Sequence, residues 1–453
     1  MKVKDEIFRE YDIRGIADSE LTSDFTYHLG RAFGTHLKRN GFTELVVGRD
    51  VRKSSPRLFE NLSRGITESS CNVHNIGVVP SPLLYFTIYH YDLGGGVMIT
   101  GSHNPIEYNG FKLMKGKDTI YGKEIQRIKR LIIEEDYEEG KGNITKKNIV
   151  EDYLNYTSSL IFPERKLKVV MDPGNGTGGP IATELFKRIG AEVDCINCEP
   201  DGNFPNHLPD PTVVEYTKQL SDRVKETKAE LGIGYDGDAD RVGIVDEKGK
   251  LVFGDQVLGA LSKQVLLKNP GAQVIFDVKC SKGLEEWIRK LGGKPVMWKT
   301  GHSLLKAKMK EIGGLIAGEM SGHIFLGDNY YGYDDAIFVS ARFYEIVSKT
   351  DKIVSEIIKE MPYYESTPEI RTEVGEEAKW KIVEEAKKKF GKEYKTIQID
   401  GVRILFGDGW GLIRASNTQP VVVTRFEATT KERLEEIKNL VTNFINEKKR
   451  DYK

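Results

Sequence analysis

Three times along the chain, at roughly equal spacing, a short apolar β-rich stretch runs into a polar or glycine-bearing loop and then into a helix-like stretch. Residues 44–47 lead through Gly48-Arg49-Asp50 to a helix opening near Ser54 and Pro56. Residues 167–171 lead through 172–179 to a helix carrying Leu185 and Ile189, and residues 273–276 lead through 277–283 to one carrying Trp287 and Leu291. Strand, loop and helix in that order form the unit of a mostly parallel α/β sheet. The recurrence predicts an α/β protein with three related domains built on mixed, mostly parallel sheets. The end of the chain differs. Short strands at 397–399, 402–406, 411–415 and 421–428 are separated by turn residues, with Gly407-Asp408-Gly409 as a hairpin connection. A helix follows, with Thr429 and Glu432 placed as a capping box. Leu434, Ile437, Leu440, Val441, Phe444 and Ile445 form its apolar face. This is a smaller α+β domain, and the proline-bearing stretch 362–368 is the expected linker and hinge. The expected domains are 1–148, 149–251, 252–362 and 363–453.

Composition removes several classes of partner. Lys and Arg number 67 against 68 Asp and Glu, so the basic excess of a nucleic-acid binder is missing. No stretch approaches the roughly eighteen apolar residues that span a membrane. The first ten residues lack the apolar segment of a secretory signal. A cytoplasmic protein is expected. Cys195 and Cys198 form a CxxC, but no second pair stands at zinc-site spacing. They read as semi-buried thiols near a strand end.

Four loops carry chemistry. In Thr100-Gly101-Ser102-His103-Asn104-Pro105, glycine lets the backbone approach a ligand and Ser102 is placed to act as nucleophile or phosphoryl carrier. His103 is then an acid, a base or an orienting group, and an ordinary capped turn is the bland alternative. In Asp236-Gly237-Asp238-Ala239-Asp240-Arg241, three carboxylates at alternate positions are costly without a cation, and hard oxygen ligands suit Mg²⁺. An EF-hand is excluded because Arg241 stands where that loop needs glycine. In Gly318-Glu319-Met320-Ser321-Gly322-His323, a carboxylate and a hydroxyl suit neighbouring sugar hydroxyls, although a plain polar connection explains them equally well. Arg414, Ser416, Asn417 and Thr418 assemble the inventory of a phosphate cradle. Residues 175–179 are glycine-rich after a strand but lack the Lys-Ser/Thr of a P-loop, and read as a tight turn.

In this order the motifs resemble the α-D-phosphohexomutase superfamily, in its phosphomannomutase/phosphoglucomutase branch. Residues 11–15 (YDIRG), 108–112 (YNGFK), 201–205 (DGNFP) and 298–303 (WKTGHS) extend the likeness over almost the whole chain. The resemblance implies four domains around a central cleft, each giving one loop. It implies that Ser102 is phosphorylated and that Asp236, Asp238 and Asp240, with the phosphoserine, hold one Mg²⁺. Arg14, Lys112, Arg241 and Lys279 match positions that supply positive charge around the transferring group. Lys112 or His103 would handle the hydroxyl proton. The Glu319–Ser321 loop would read the sugar, with Tyr11, Lys279, His302 and His323 also at the substrate. Arg414, Ser416, Asn417 and Thr418 would grip its standing phosphate.

The implied activity interconverts hexose 1-phosphate and hexose 6-phosphate through a hexose 1,6-bisphosphate. If Glu319 and Ser321 read the 3- and 4-hydroxyls, glucose and mannose look alike, so use of both is expected. Rival readings are a phosphoglucosamine mutase, a phosphatase with Asp236 as nucleophile, and a non-catalytic sugar-phosphate sensor. Oligomeric state is not legible.

Overall fold

The computed structural model describes residues 1, 3–417 and 419–452. Each recurrence becomes a sheet, and the three sheets share one topology. In the first unit, Glu44–Arg49 pairs parallel with Asn72–Val78 on one side and Gly95–Ile99 on the other. Gly95–Ile99 then pairs antiparallel with Tyr108–Lys115. In the second, Lys168–Asp172 lies parallel to Glu192–Cys195 and Leu231–Tyr235, and the latter pairs antiparallel with Val242–Val245. In the third, Gln273–Asp277 lies parallel to Lys294–Trp298 and Ile316–Gly318, which pairs antiparallel with Ile324–Leu326. The apolar runs legible in the sequence are these central strands. They have neighbours on both sides and layers on both faces, so Val46, Val170 and Ile275 are fully buried.

The chemistry-bearing loops occupy one equivalent place in the three units, the connection from the third strand to its antiparallel partner. Ile99 to Tyr108 carries Ser102, Tyr235 to Val242 carries the three aspartates, and Gly318 to Ile324 carries Glu319. The carboxyl ends of sheet strands are where open α/β folds place ligands.

One apolar core runs through the first three units. It joins Leu83, Leu84 and Phe86 to Leu185, Leu258, Phe338 and Phe343. The helices Ser81–His90 and Ala336–Ser348 lie inside it and are apolar nearly all round, as buried helices are. In the C-terminal unit, Lys395–Ile397, Val402–Leu405, Gly409–Ala415 and Val421–Ala428 form an antiparallel meander. The helices Glu376–Glu393 and Lys431–Asp451 pack on it through Ile382, Phe390, Ile437 and Phe444.

Several local expectations shift. The helix cap is Thr430, whose Oγ1 accepts from Arg433 N at 3.2 Å, so the helix starts one residue later than a Thr429 cap implies. Leu440 is exposed, because the helix turns it off the packed face. The stretch 362–368 is no free linker. Glu365–Ser366 pairs with Glu427 and Ala428, where the edge of the last sheet satisfies its backbone groups. Cys195 and Cys198 are not free thiols but a disulfide, because the chain turns back between them and brings their Cα atoms to 5.8 Å. No described helix is long and apolar enough to cross a membrane.

Candidate active site

Ser102 sits in the left-handed backbone region, with φ at 49°. Its N–H donates to Thr100 Oγ1 at 2.8 Å. Its Oγ donates to Asp236 Oδ2 at 2.5 Å and lies 3.0 Å from His103 Nδ1. The serine loop and the aspartate loop press together, and a Cβ on Gly237 would come 2.6 Å from Ser102 O. Burial, followed by Arg241 and Arg14, holds His103 well below the usual imidazole range, so the ring is neutral.

Asp236, Asp238 and Asp240 are buried, and each offers a carboxylate oxygen within 4.8 Å of the others. Asp236 Oδ1 accepts from the backbone N–H groups of Asp240 and Arg241, at 3.0 and 3.1 Å. Burial, then Asp240 and Asp238, push Asp236 well above the usual carboxylate range. Lys112 answers this charge from the first unit. Its Nζ donates to Asp238 Oδ2 at 2.6 Å and also to Asp240 Oδ2. Burial opposes the ammonium, but Asp238 and Asp240 more than offset it and hold Lys112 well above its ordinary range. Ser81 Oγ adds a 2.5 Å bond to Asp238. Asp238 Oδ1 and Asp240 Oδ1 nevertheless stay buried without a hydrogen-bond partner. Two orphaned carboxylate oxygens beside a third carboxylate fit a hard divalent cation, because leaving them bare is expensive.

Glu319 is gripped by its own surroundings. Oε1 accepts from Gly301 N at 2.7 Å, and Oε2 from Ser321 Oγ at 2.7 Å, so the carboxylate and hydroxyl face one spot. Next to them, Arg241 Nε donates to His323 Nε2 at 2.9 Å. The ring proton therefore belongs on Nδ1, which lies 3.2 Å from Asp334 Oδ2. His302 stacks on His323 at 5.3 Å and also faces Asp334, at 3.4 Å. Asp240, His323 and Asp334 are close enough to suggest a second metal group. Lys306 Nζ, donating to Asp334 Oδ1 at 2.8 Å, already sets one positive charge against this group.

Arg414, buried in the C-terminal unit, donates from Nε to Asp400 Oδ2 at 3.1 Å, and Thr300 N donates to the same oxygen at 3.1 Å. Burial opposes its charge, but Asp400 and Tyr11 raise it above the ordinary range. Tyr11 OH donates to Thr300 O at 2.8 Å and accepts from Asn417 Nδ2. One residue of the first unit thus meets the third and the last. Lys379 Nζ donates to Ser416 O at 2.7 Å and Gln419 O at 3.1 Å, bracing the cradle from its helix. Thr418 lies outside the described residues. Lys279 Nζ donates to Glu369 Oε2 at 3.1 Å. Arg14 donates to Asn104 Oδ1 at 2.6 Å and Asp12 Oδ2 at 2.5 Å, at the rim of the serine loop.

Comparison with known proteins matches the units in turn. Residues 5–139, 151–249 and 253–364 match alpha/beta/alpha domains I, II and III of phosphoglucomutase/phosphomannomutase, and residues 369–443 match its C-terminal domain. The chain belongs to the phosphoglucomutase/phosphomannomutase family. It is 44% identical over 437 residues to a phosphomannomutase/phosphoglucomutase of Pseudomonas putida, covering 96% of this chain and 94% of that one. It is 43% identical over 439 residues to a phosphoglucomutase of Neisseria gonorrhoeae, covering 96% and 95%. A solved phosphoglucomutase/phosphomannomutase family protein of Burkholderia thailandensis superposes with a TM-score of 0.92 at 38% identity, covering 99% of this chain and 98% of that one.

In this phosphohexomutase the structure joins Ser102 to Asp236, Lys112 to Asp238, Arg241 to His323 and Tyr11 to Asn417 across units. It also adds Arg52, Ser81, Asp334, Lys306, Asp400, Lys379 and Glu369, which no local motif marks. Asp400 follows a short strand 100 residues from the Thr300 it holds, so nothing in its neighbourhood signals its task.

Proposed function

We propose that the enzyme interconverts the 1- and 6-phosphates of glucose and of mannose, with Ser102 as the phosphoryl carrier. The observation that carries this reading is the 2.5 Å contact between Ser102 Oγ and Asp236, at the edge of three buried carboxylates. The four domains expected at 1–148, 149–251, 252–362 and 363–453 each contribute one loop. Phosphoserine 102 gives its phosphoryl group to the free sugar hydroxyl. The P–Oγ bond breaks, a P–O bond to the sugar forms, and the hydroxyl proton ends on the serine side. The 1,6-bisphosphate turns over in the cleft, and Ser102 Oγ attacks its other phosphate, regenerating the carrier.

Asp236, Asp238 and Asp240, with the serine phosphate, would hold Mg²⁺, which supplies charge neutralisation for the phosphoryl oxygens. Neutral His103, 3.0 Å from Oγ, accepts the serine proton when Ser102 takes a phosphoryl group. Arg14 and Arg241 supply charge around the moving group, and Lys112 steadies the aspartates. Glu319 and Ser321 take two sugar hydroxyls, with Lys279, His302 and His323 beside them. Arg414, Ser416 and Asn417 hold the phosphate that does not move. A phosphatase using Asp236 as nucleophile is disfavoured, since it would leave the Ser102 hydroxyl, 2.5 Å from Asp236, without a task.

The test is Ser102→Ala, assayed with glucose 1-phosphate plus glucose 1,6-bisphosphate. The wild-type chain is expected to gain one phosphate by intact mass, mapped to Ser102. The variant should fold, take none and lose turnover. Near-normal turnover in the variant overturns the carrier assignment.

A further inference from the structure

Arg52 is 1% exposed, one of the largest fully buried side chains in the molecule. Its terminal N–H groups all serve the serine loop. Nη2 donates to the carbonyls of Ser102 and Asn104, at 2.9 and 2.6 Å. Nη1 donates to those of Pro105 and Tyr108, at 2.6 and 2.9 Å. Four carbonyls reached by one rigid planar fork pin the loop in two directions, which the single ammonium of lysine cannot do.

The guanidinium is fixed in turn. Asp50 Oδ2 lies 3.3 Å from Arg52 Nε and also accepts from Gly101 N at 3.0 Å. A Cβ on Gly101 would fall 2.4 Å from Nε. The close approach that this glycine permits is therefore that of Arg52, and not only that of a ligand.

The other face of Arg52 is covered by the second unit. The Phe204 ring centroid lies 5.2 Å from the guanidinium carbon. Phe204 belongs to the Asp201-Gly202-Asn203-Phe204-Pro205 turn, which comes so near that a Cβ on Gly202 would be 2.4 Å from Val51 O. The unit that supplies the aspartates thus also covers the arginine that holds the serine. Ser102 needs such holding, because its left-handed backbone is one that residues with side chains seldom adopt unaided.

We propose that Arg52, clamped beneath Phe204, is a positioning residue for phosphoryl transfer: it fixes the Ser102 loop so that Oγ stays in line with the aspartate site. The inference rests on Ser102 being the carrier.

The test compares wild type with Arg52→Lys and Phe204→Leu. Three quantities are read: kcat and KM separately, the rate of Ser102 phosphorylation by glucose 1,6-bisphosphate in quenched intact-mass samples, and the final phosphate stoichiometry. For Arg52→Lys, kcat and the phosphorylation rate should fall about 100-fold while KM stays within about threefold, as expected for a reacting group misplaced by about 1 Å. The final stoichiometry should match wild type. Phe204→Leu should fall in the same direction by about 10-fold. Where Arg52→Lys fails to fold, Phe204→Leu decides by the same readouts. A variant that phosphorylates Ser102 at the wild-type rate overturns the proposal. So does a final stoichiometry that drops in proportion to kcat, which marks a smaller folded fraction and a structural role only. A wild-type enzyme that never takes phosphate at Ser102 removes the carrier reading itself, a result distinct from either.

Discussion

Lys112 Nζ, on the strand Tyr108–Lys115 of the first unit, lies 2.6 Å from Asp238 Oδ2 in the second. A strand-borne cation from one sheet thereby partly neutralises the acidic loop of the next. Removing the cation leaves buried carboxylates uncompensated, which costs about 3–5 kcal/mol when one partner of a buried pair is lost. Lys112→Met should lower the melting temperature, and added Mg²⁺ should raise it more than in wild type, because the cation no longer competes with the ammonium. Thermal denaturation with and without Mg²⁺ checks this. An equal Mg²⁺ response in both proteins would show that Lys112 and the cation do not share a site.

Glu319 should act on either sugar alike. Glu319→Gln keeps the shape but loses the charge, and a hydrogen bond to a charged group is worth about 1.5–3 kcal/mol. We expect kcat/KM to fall roughly 10- to 100-fold, by the same factor for glucose and mannose phosphates. Measuring both substrates decides the matter. A loss confined to one of them would contradict readout of the 3- and 4-hydroxyls.

Tyr11 joins three units through its hydroxyl. Tyr11→Phe removes two hydrogen bonds, each worth about 0.5–1.5 kcal/mol net. With the ring still packed, the melting temperature should move by only a few degrees. Turnover should fall about 10-fold, since alignment of the cradle with the sugar loop depends on this link. Unchanged steady-state kinetics would refute the link.

Asp335 caps the helix Ala336–Ser348, accepting from Phe338 N at 2.9 Å and from Tyr330 OH at 2.7 Å. Burial pushes its pKa from 3.8 up to about 6, against the pull of those bonds. Its folded value is raised, so its contribution to stability is full below about 3.8 and is lost as pH rises through about 6. Asp335→Asn should flatten that part of the stability profile. The wild-type curve should fall relative to the variant by up to about 1.4 kcal/mol per pH unit in this window. Urea unfolding from pH 4 to pH 7 (a range of about 3 units) measures it, and parallel curves would exclude a titrating Asp335.

Much of the site was legible because its chemistry is concentrated in short runs. Three aspartates at alternate positions, or arginine beside serine, asparagine and threonine, declare themselves locally. The repeat was legible because a central strand buried on both faces must be apolar. The supporting residues were not legible. Arg52 is an ordinary surface residue by sequence, and only the four carbonyls around it show otherwise. Lys379 lies in a helix whose composition suggests solvent, yet it is buried against Ser416 and Gln419. The Cys195–Cys198 bridge and the Glu365–Ser366 edge strand also depend on where a turn or a distant edge falls.

By itself, the sequence determined the kind of elements, their threefold recurrence, and which loops carry charge and hydroxyls, since these follow from residue-by-residue polarity and backbone preference. Only the folded chain decided that the Ser102, Asp236 and Glu319 loops leave equivalent ends of three matching sheets and face one another. Contacts such as Lys112 with Asp238, or Phe204 over Arg52, join residues 126 and 152 positions apart. Nothing local can specify pairings that arise when separate sheets are packed against a common core.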